Sequence, residues 1–245
     1  MNNELEPSFS RCTNKMKFCL RTVSLIFFLS PLYTAADQIT VSGGISSANV
    51  VNGISESRDK PTVQVTSEWD FEHGIYTGMM LYAGETAPAP QLTQGYAAYL
   101  GYFKPLNESS AIELSVNHYG YRGKFQSTWD YSELNITYHH SKTLSLKNAY
   151  ADDYYGRGYS SHFVTINWQP QMTNQSYALI SAGHTFLKSN DYLPEFSNAM
   201  LGLGLKEQRW NFQISYQYSD KKAELIHGND AAGSRLLLEI KYALY

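Results

Sequence analysis

Seven histidines are the first residues of this 245-residue chain to consider for catalysis. Membrane-embedded lipid hydrolases pair a histidine with a serine two residues further along one strand, so that both side chains face the same side. His139 and Ser141 are the one pair with this spacing, but the pattern places them at a turn with no asparagine nearby. We therefore expect no catalytic residues and no enzyme activity.

Metal binding is also not expected from the sequence. His139 and His140 are adjacent, and adjacent residues of a strand point to opposite faces. A designed metal site needs further ligands on the same face. Both cysteines, Cys12 and Cys19, lie near the N-terminus, ahead of an expected cleavage site. We expect no metal site, no cofactor and no disulfide framework.

Charged residues on the polar faces of predicted strands are the better functional candidates. They predict either a lumen that selects small ions and polar solutes or an internal network of ion pairs that plugs a narrow barrel. The basic members of the set, Lys147, Arg235 and Lys241, would be counter-charges for the carboxylates. The lumen-facing candidates are Lys147, Arg235 and Lys241 together with Glu68, Asp70, Glu113, Glu133 and Glu239.

A hydrophobic alternation with a period of two positions these charges. In residues 209–219, aromatic and aliphatic side chains alternate without a break with Asn, Gln and Ser. Successive residues of a strand point to opposite faces, so this segment has one apolar and one polar side. The apolar side faces inward in a soluble barrel and faces lipid in an outer-membrane barrel.

The N-terminal residues favour the membrane. A start at Met16 is followed by basic residues and by a short apolar stretch at 23–29. Small residues precede a cleavage site after Ala36, as in a secretory signal peptide. We predict a signal peptide over 1–36 and a single barrel domain over 37–245, located in the cell outer membrane of a Gram-negative bacterium.

About twelve strands are predicted, which form an all-β, antiparallel, up-and-down transmembrane barrel. Links after even strands are short and loops after odd strands are longer, the contrast expected of periplasmic turns and external loops. A soluble sandwich or lipocalin-like barrel shares the alternation and is the alternative fold. The predicted strands are 38–47, 62–72, 75–83, 94–103, 111–120, 131–140, 144–152, 160–168, 177–187, 198–206, 209–219 and 234–245.

Composition agrees with a membrane barrel. The formal charge of −3 gives no electrostatic footprint for nucleic acid. The 20 tyrosines suit aromatic girdles at two membrane interfaces. The aromatic loop at 154–159 could stack on a ligand or belong to such a girdle.

One segment resembles a known family. Gly53-Ile54-Ser55, Lys60-Pro61 and the GIYTG step at 74–78 are similar to the hallmark of the Gcw_chp family, and residues 113–114 and 119–123 resemble its next strand and loop. Asn52 stands where the family usually has an arginine. The resemblance implies a secreted outer-membrane β-barrel and no particular activity, because the family is uncharacterised.

The functional expectation is a porin-like passive channel or binding barrel for small polar solutes or ions, in contact with outer-membrane lipid. An outer-membrane lipid hydrolase and a structural or surface-interaction barrel with a plugged lumen are the alternatives. The residues expected to face lipid include Val65, Trp69, Ile112, Leu114, Leu134 and Ile136.

Overall fold

The computed structural model describes residues 38–86, 91–122, 129–188 and 194–244. The predicted signal peptide lies outside the described residues and stays a prediction. Among the described residues, no helix is both long enough and apolar enough to cross a membrane.

The described residues form a closed antiparallel barrel of twelve strands, as predicted. The barrel closes because its first strand pairs with its last strand, with Ser42 opposite Ala243. On its other side the first strand pairs with the strand 62–70, with Gln38 opposite Asp70. Two further strands, β2 and β3, form a small hairpin apart from the barrel wall. The strands are β1 Gln38–Ser46, β2 Val50–Val51, β3 Ile54–Ser55, β4 Thr62–Asp70, β5 Ile75–Thr86, β6 Gln91–Asn107, β7 Ser110–Arg122, β8 Tyr131–His140, β9 Leu144–Ala151, β10 Ser160–Trp168, β11 Ser176–Lys188, β12 Phe196–Glu207, β13 Trp210–Ser219 and β14 Gly233–Ala243.

Short turns connect the strands at the end of the barrel where β1 starts and β14 finishes, which identifies that end as periplasmic. The predicted link at 104–110 was too long, because β6 continues to Asn107 and pairs with Ser110 at the start of β7. The longest external connections are 47–61 and 220–232, and the second contains the short helix Glu224–His227.

The outer wall is a belt of exposed apolar side chains, which is what a lipid environment requires. Exposed aromatic residues stand at both rims, Tyr102, Tyr138, Trp168 and Trp210 at the periplasmic rim and Tyr150, Phe186, Tyr216 and Tyr218 at the other. Trp69 lies on the same face of β4 as the exposed Val63 and Val65, but only 7% of its surface is exposed. The belt between the rims includes Val63, Val65, Leu100, Leu114, Val116, Leu134, Ile136, Ile166, Leu201, Leu203, Ile214, Leu236 and Leu238.

The connection 47–61 does not extend into solvent as a polar loop. It carries the β2–β3 hairpin, in which Val50 pairs with Ser55 and Val51 with Ile54. Ile54 and Ser55 are 2% and 1% exposed, so this segment, which we call the plug hairpin (residues 49–59), is folded into the external half of the barrel.

Candidate functional site in the barrel lumen

Three of the predicted lumen residues line one cavity of about 250 Å³ in the periplasmic half of the barrel. Glu68 of β4, Glu113 of β7 and Lys147 of β9 contribute to its wall, and neutral polar side chains fill the rest. We call this space the acidic cavity. Its charged residues are two carboxylates and one ammonium group.

Tyrosines and a histidine hold both carboxylates of the acidic cavity. The Tyr99 hydroxyl donates to Glu68 Oε2 at 2.7 Å. The Tyr76 hydroxyl donates to Glu113 Oε1, and His139 Nε2 lies 2.8 Å from Glu113 Oε2. Hydrogen bonds to a carboxylate stabilise its charged form and fix its orientation. The cavity therefore presents oriented negative charge.

The two tyrosine rings lie flat against the barrel wall because glycines face them across the strands. Tyr99 is opposite Gly78, and Tyr76 is opposite Gly101. A Cβ on Gly78 would be 2.3 Å from the Tyr99 hydroxyl oxygen, and one on Gly101 would be 2.1 Å from Tyr76 Cζ. Any side chain at either glycine would push the ring into the lumen. The glycines thus leave one face of each ring free toward the cavity.

The other predicted lumen residues lie in different places. Glu239 and Lys241 form an ion pair with an N–O distance of 2.5 Å and line a second cavity of about 280 Å³. Glu133 is 2% exposed and contacts the plug hairpin through the Asn52 amide at 3.4 Å. Asp70 lies half-buried at the periplasmic end of β4.

Arg235 serves a purpose that sequence reasoning missed. It was expected to balance lumen carboxylates, but its Nε lies 3.2 Å from Asp59 Oδ1 on the plug hairpin. The Arg235 side chain is 5% exposed and that of Asp59 is 46% exposed. Long-range pairing between a strand and a loop cannot be read from alternation, since alternation fixes only the face of the strand.

Glu56 is the centre of the plug hairpin. Its carboxylate accepts hydrogen bonds from the hydroxyls of Tyr82 at 2.8 Å, Tyr155 at 2.9 Å and Tyr121. The Asn49 amide donates to it at 2.8 Å. These donors come from β5, from β7, from the 152–159 connection and from the hairpin itself, so one carboxylate joins four segments across the barrel mouth.

Two arginines, Arg58 of the plug hairpin and Arg157 of the 152–159 connection, bind the neighbouring loop 220–232. The Arg58 guanidinium donates to the carbonyls of His227 and Asn229. Arg157 donates to the carbonyl of Ile226 and lies 5.5 Å from the centre of the Trp129 ring. These bonds satisfy carbonyls at the end of the short helix 224–227, which lack partners within the helix.

Burial changes the ionisation of two residues in these connections. Desolvation raises the pKa of the Glu56 carboxyl above its usual range, although the three tyrosine hydrogen bonds oppose the shift. Burial, together with repulsion from Arg157 and Arg58, lowers the pKa of His227 to about 3. His227 is therefore neutral at ordinary pH, and Glu56 takes up a proton more readily than an exposed glutamate does.

The aromatic loop at 154–159 is neither a girdle nor an open ligand platform. Tyr154 and Tyr155 are each 3% exposed and pack in the barrel mouth. Tyr155 stacks on Tyr131 with ring centres 4.7 Å apart. The loop therefore forms the roof of the lumen with the plug hairpin.

Among the described residues, no group of three or more His, Cys, Asp or Glu side chains could hold a metal ion. The residues that sequence reasoning missed are Tyr76, Tyr99, Asn135 and Glu56. Tyr76 and Tyr99 carried one usable signal: each is a tyrosine on a polar face that faces a glycine of the next strand.

An apolar outer belt, two aromatic rims and a polar interior define this fold as an outer-membrane β-barrel. The chain belongs to the Gcw_chp family, described as a bacterial protein of unknown function, whose pattern matches residues 33–238. The family resemblance, the fold class and the outer-membrane location are thus confirmed. No curated protein matches the sequence.

Solved porins have the same fold. The KdgM porin has a TM-score of 0.56 at 9% identity, with 85% of this chain and 100% of that chain covered. The NanC porin has a TM-score of 0.57 at 12% identity, with 83% and 98% covered. An outer-membrane channel from Pseudomonas putida F1 has a TM-score of 0.50 at 11% identity, with 85% and 95% covered. At these identities the similarity is one of fold alone.

Proposed function

We propose that this barrel is a passive outer-membrane channel for small polar solutes and that it favours neutral and cationic solutes over anions. The observation that carries the proposal is the acidic cavity, where Glu68 and Glu113 are balanced by one lysine, Lys147. Charged side chains that line a pore set its selectivity. Two oriented carboxylates against one ammonium group repel anions more than cations.

The comparison with KdgM bears on which solutes this channel accepts. That porin has been studied in complex with disordered oligogalacturonate, a chain of sugar carboxylates. The carboxylates of the acidic cavity oppose such a polyanion. We therefore expect this channel to take different solutes from KdgM.

Uptake into liposomes tests the proposal. The full mature chain is refolded into liposomes, and the influx of ethanolamine, glycerol and lactate, which are similar in size, is compared. We expect ethanolamine and glycerol to enter faster than lactate. The double variant E68Q/E113Q should reduce the difference, because it removes the charge while keeping side-chain size. Lactate as the fastest solute would contradict the proposed selectivity.

A plugged barrel that serves a structural or surface role is the second candidate. The plug hairpin favours it, because Asn52 contacts Glu133 of β8 and also accepts a 3.1 Å hydrogen bond from Asn198 of β12. These strands stand on well-separated parts of the wall, so the hairpin spans the lumen. No influx of any solute, even after the hairpin is displaced, would favour this candidate.

A lipid hydrolase is the remaining class. His139 is on the lumen side beside Glu113, which is the wrong side for attack on membrane lipid. Assays of phospholipid and lipid A turnover separate this class from the channel, and turnover without influx would favour it.

A further inference from the structure

An unpaired amide lies inside the acidic cavity. Asn135 of β8 is 2% exposed, and among the described residues neither its Oδ1 nor its Nδ2 has a hydrogen-bond partner. Its side chain lines the acidic cavity. A buried amide without partners is costly, and such groups in native proteins call for an explanation. An amide offers two donors and an acceptor to a hydroxylated ligand.

The amide atoms are covered in the present rotamer, and small neighbours leave room for the side chain to turn toward the cavity. Asn135 pairs with Ser115 on β7 and with Ala149 on β9. The cavity of about 250 Å³ is below the range of roughly 300–1,000 Å³ for pockets that hold drug-sized ligands. A single ring fits this space better than an oligomer.

Two flat aromatic faces border the same cavity. Tyr76 and Tyr99 lie along the wall over Gly101 and Gly78, with ring centres 6.0 Å apart. Their hydroxyls are engaged by the two glutamates, so the ring faces are the parts left for a ligand. An aromatic face packs well on the apolar side of a ring whose rim is polar.

We infer that the acidic cavity is a subsite for one amino-sugar ring, that is, a cyclic polyol that carries an ammonium group. The ring hydroxyls pair with Asn135, the apolar ring face packs on a tyrosine, and the ammonium group lies near Glu68 or Glu113. A neutral sugar satisfies the first two contacts and lacks the third. A sugar acid has the opposite charge. The inference rests on the proposed channel function and names its substrate class.

Calorimetry with the refolded full chain in detergent tests the subsite. The probes are glucosamine, glucose and galacturonate, which share ring size and differ in charge. We expect glucosamine to bind most tightly, glucose less tightly and galacturonate least. Calorimetry needs no flux, so binding without transport would refute only the channel, and transport without binding would refute only the subsite.

Variants locate the binding. Asn135→Ala should weaken glucosamine and glucose alike by about tenfold or more, because the hydroxyls lose their partners. The double variant E68Q/E113Q should bring the affinity for glucosamine down to that for glucose and leave glucose within about twofold. Asn167→Ala is the matched control, because this asparagine on β10 pairs with serines and does not line the cavity.

The folded state of each variant is checked by its heat-dependent gel mobility. If Asn135→Ala does not fold, Asn135→Asp keeps the side-chain volume and adds negative charge. It should increase the preference for glucosamine over glucose several-fold. Three results would overturn the subsite: folded wild type that binds neither glucose nor glucosamine, tightest binding of galacturonate, or equal effects of the changes at Asn135 and Asn167.

Discussion

Replacement of Gly53 by alanine should release the plug hairpin from the barrel. Gly53 has a φ of +88°, and a Cβ there would be 2.5 Å from Asn198 Cβ. The left-handed conformation costs an alanine roughly 1–2 kcal/mol. Displacement of Asn198 also breaks its hydrogen bond to the Asn52 carbonyl, which costs about 0.5–1.5 kcal/mol. Together these terms amount to roughly 1.5–3.5 kcal/mol, or about ten- to three-hundred-fold in the ratio of released to docked hairpin.

Limited trypsin digestion measures this ratio without any assumption about transport. Arg58 is half-buried in the docked hairpin, so cleavage after it requires release. When opening and closing are fast relative to cleavage, the cleavage rate follows the released population. We expect G53A to be cut after Arg58 about ten to three hundred times faster than wild type.

Gly158→Ala is the matched control. Gly158 also has a positive φ, of +76°, but no atom of the described residues lies within 4 Å of the position of an added Cβ. It therefore adds backbone strain without a clash against the hairpin. If G53A and G158A are cut after Arg58 at the same rate, the hairpin does not dock through Gly53 as described.

Three further predictions concern the wall, the carboxylate at the mouth and the buried ion pair. Leu114→Arg should lower the free energy of unfolding in lipid by roughly 2–4 kcal/mol if Leu114 lies near the bilayer midplane, whereas Glu113→Gln should fold comparatively well and alter ion selectivity; greater damage in the glutamine variant would contradict the assigned faces. Burial raises the folded-state pKa of Glu56 above its ordinary value of 4.5, so docking of the plug hairpin is favoured below pH 4.5 and weakens as the pH rises through the folded-state pKa. The frequency with which the hairpin is released should therefore rise with pH more in wild type than in Glu56→Gln. Equal pH profiles for the two proteins would refute this role of Glu56. Asp59→Asn should destabilise the barrel by about 1–3 kcal/mol in urea unfolding, because it leaves the Arg235 guanidinium buried without its counter-charge. Addition of Arg235→Met should recover part of this loss of stability. A further loss of stability in the double variant would show that the ion pair is not the cause of the effect.

The barrel wall was predictable from the sequence because its two faces meet different solvents. Lipid selects apolar side chains outside and the lumen selects polar ones inside, so strands such as β13 carry a strict alternation. The alternation also placed Leu114 and Leu134 on the exposed outer wall. For Trp69, alternation gives the face of β4 on which the residue lies and not how much of its surface is exposed.

The plug hairpin was not predictable in the same way. β2 and β3 have two residues each, too few to show a period. The docking of the hairpin depends on Glu56 and on tyrosines 26 to 99 residues away along the chain. A polar segment such as 48–61 reads as a solvent-exposed loop unless those distant partners are known.

The acidic cavity was predictable only in part. Alternation proposed Glu68, Glu113 and Lys147 for the lumen, and these three line one cavity. It could not show that β4, β7 and β9 bring them together, nor that Asn135 of β8 lies beside them. Such grouping depends on strand register, which alternation leaves open by steps of two residues.

The cation selectivity proposed for the lumen can be measured as the reversal potential of the refolded full chain in a planar bilayer under a KCl gradient. We expect a measurable current with K⁺ favoured over Cl⁻, a larger open fraction in G53A, and a reversal potential that moves toward zero in E68Q/E113Q. A current that favours Cl⁻, or the absence of current in both wild type and G53A, would contradict it.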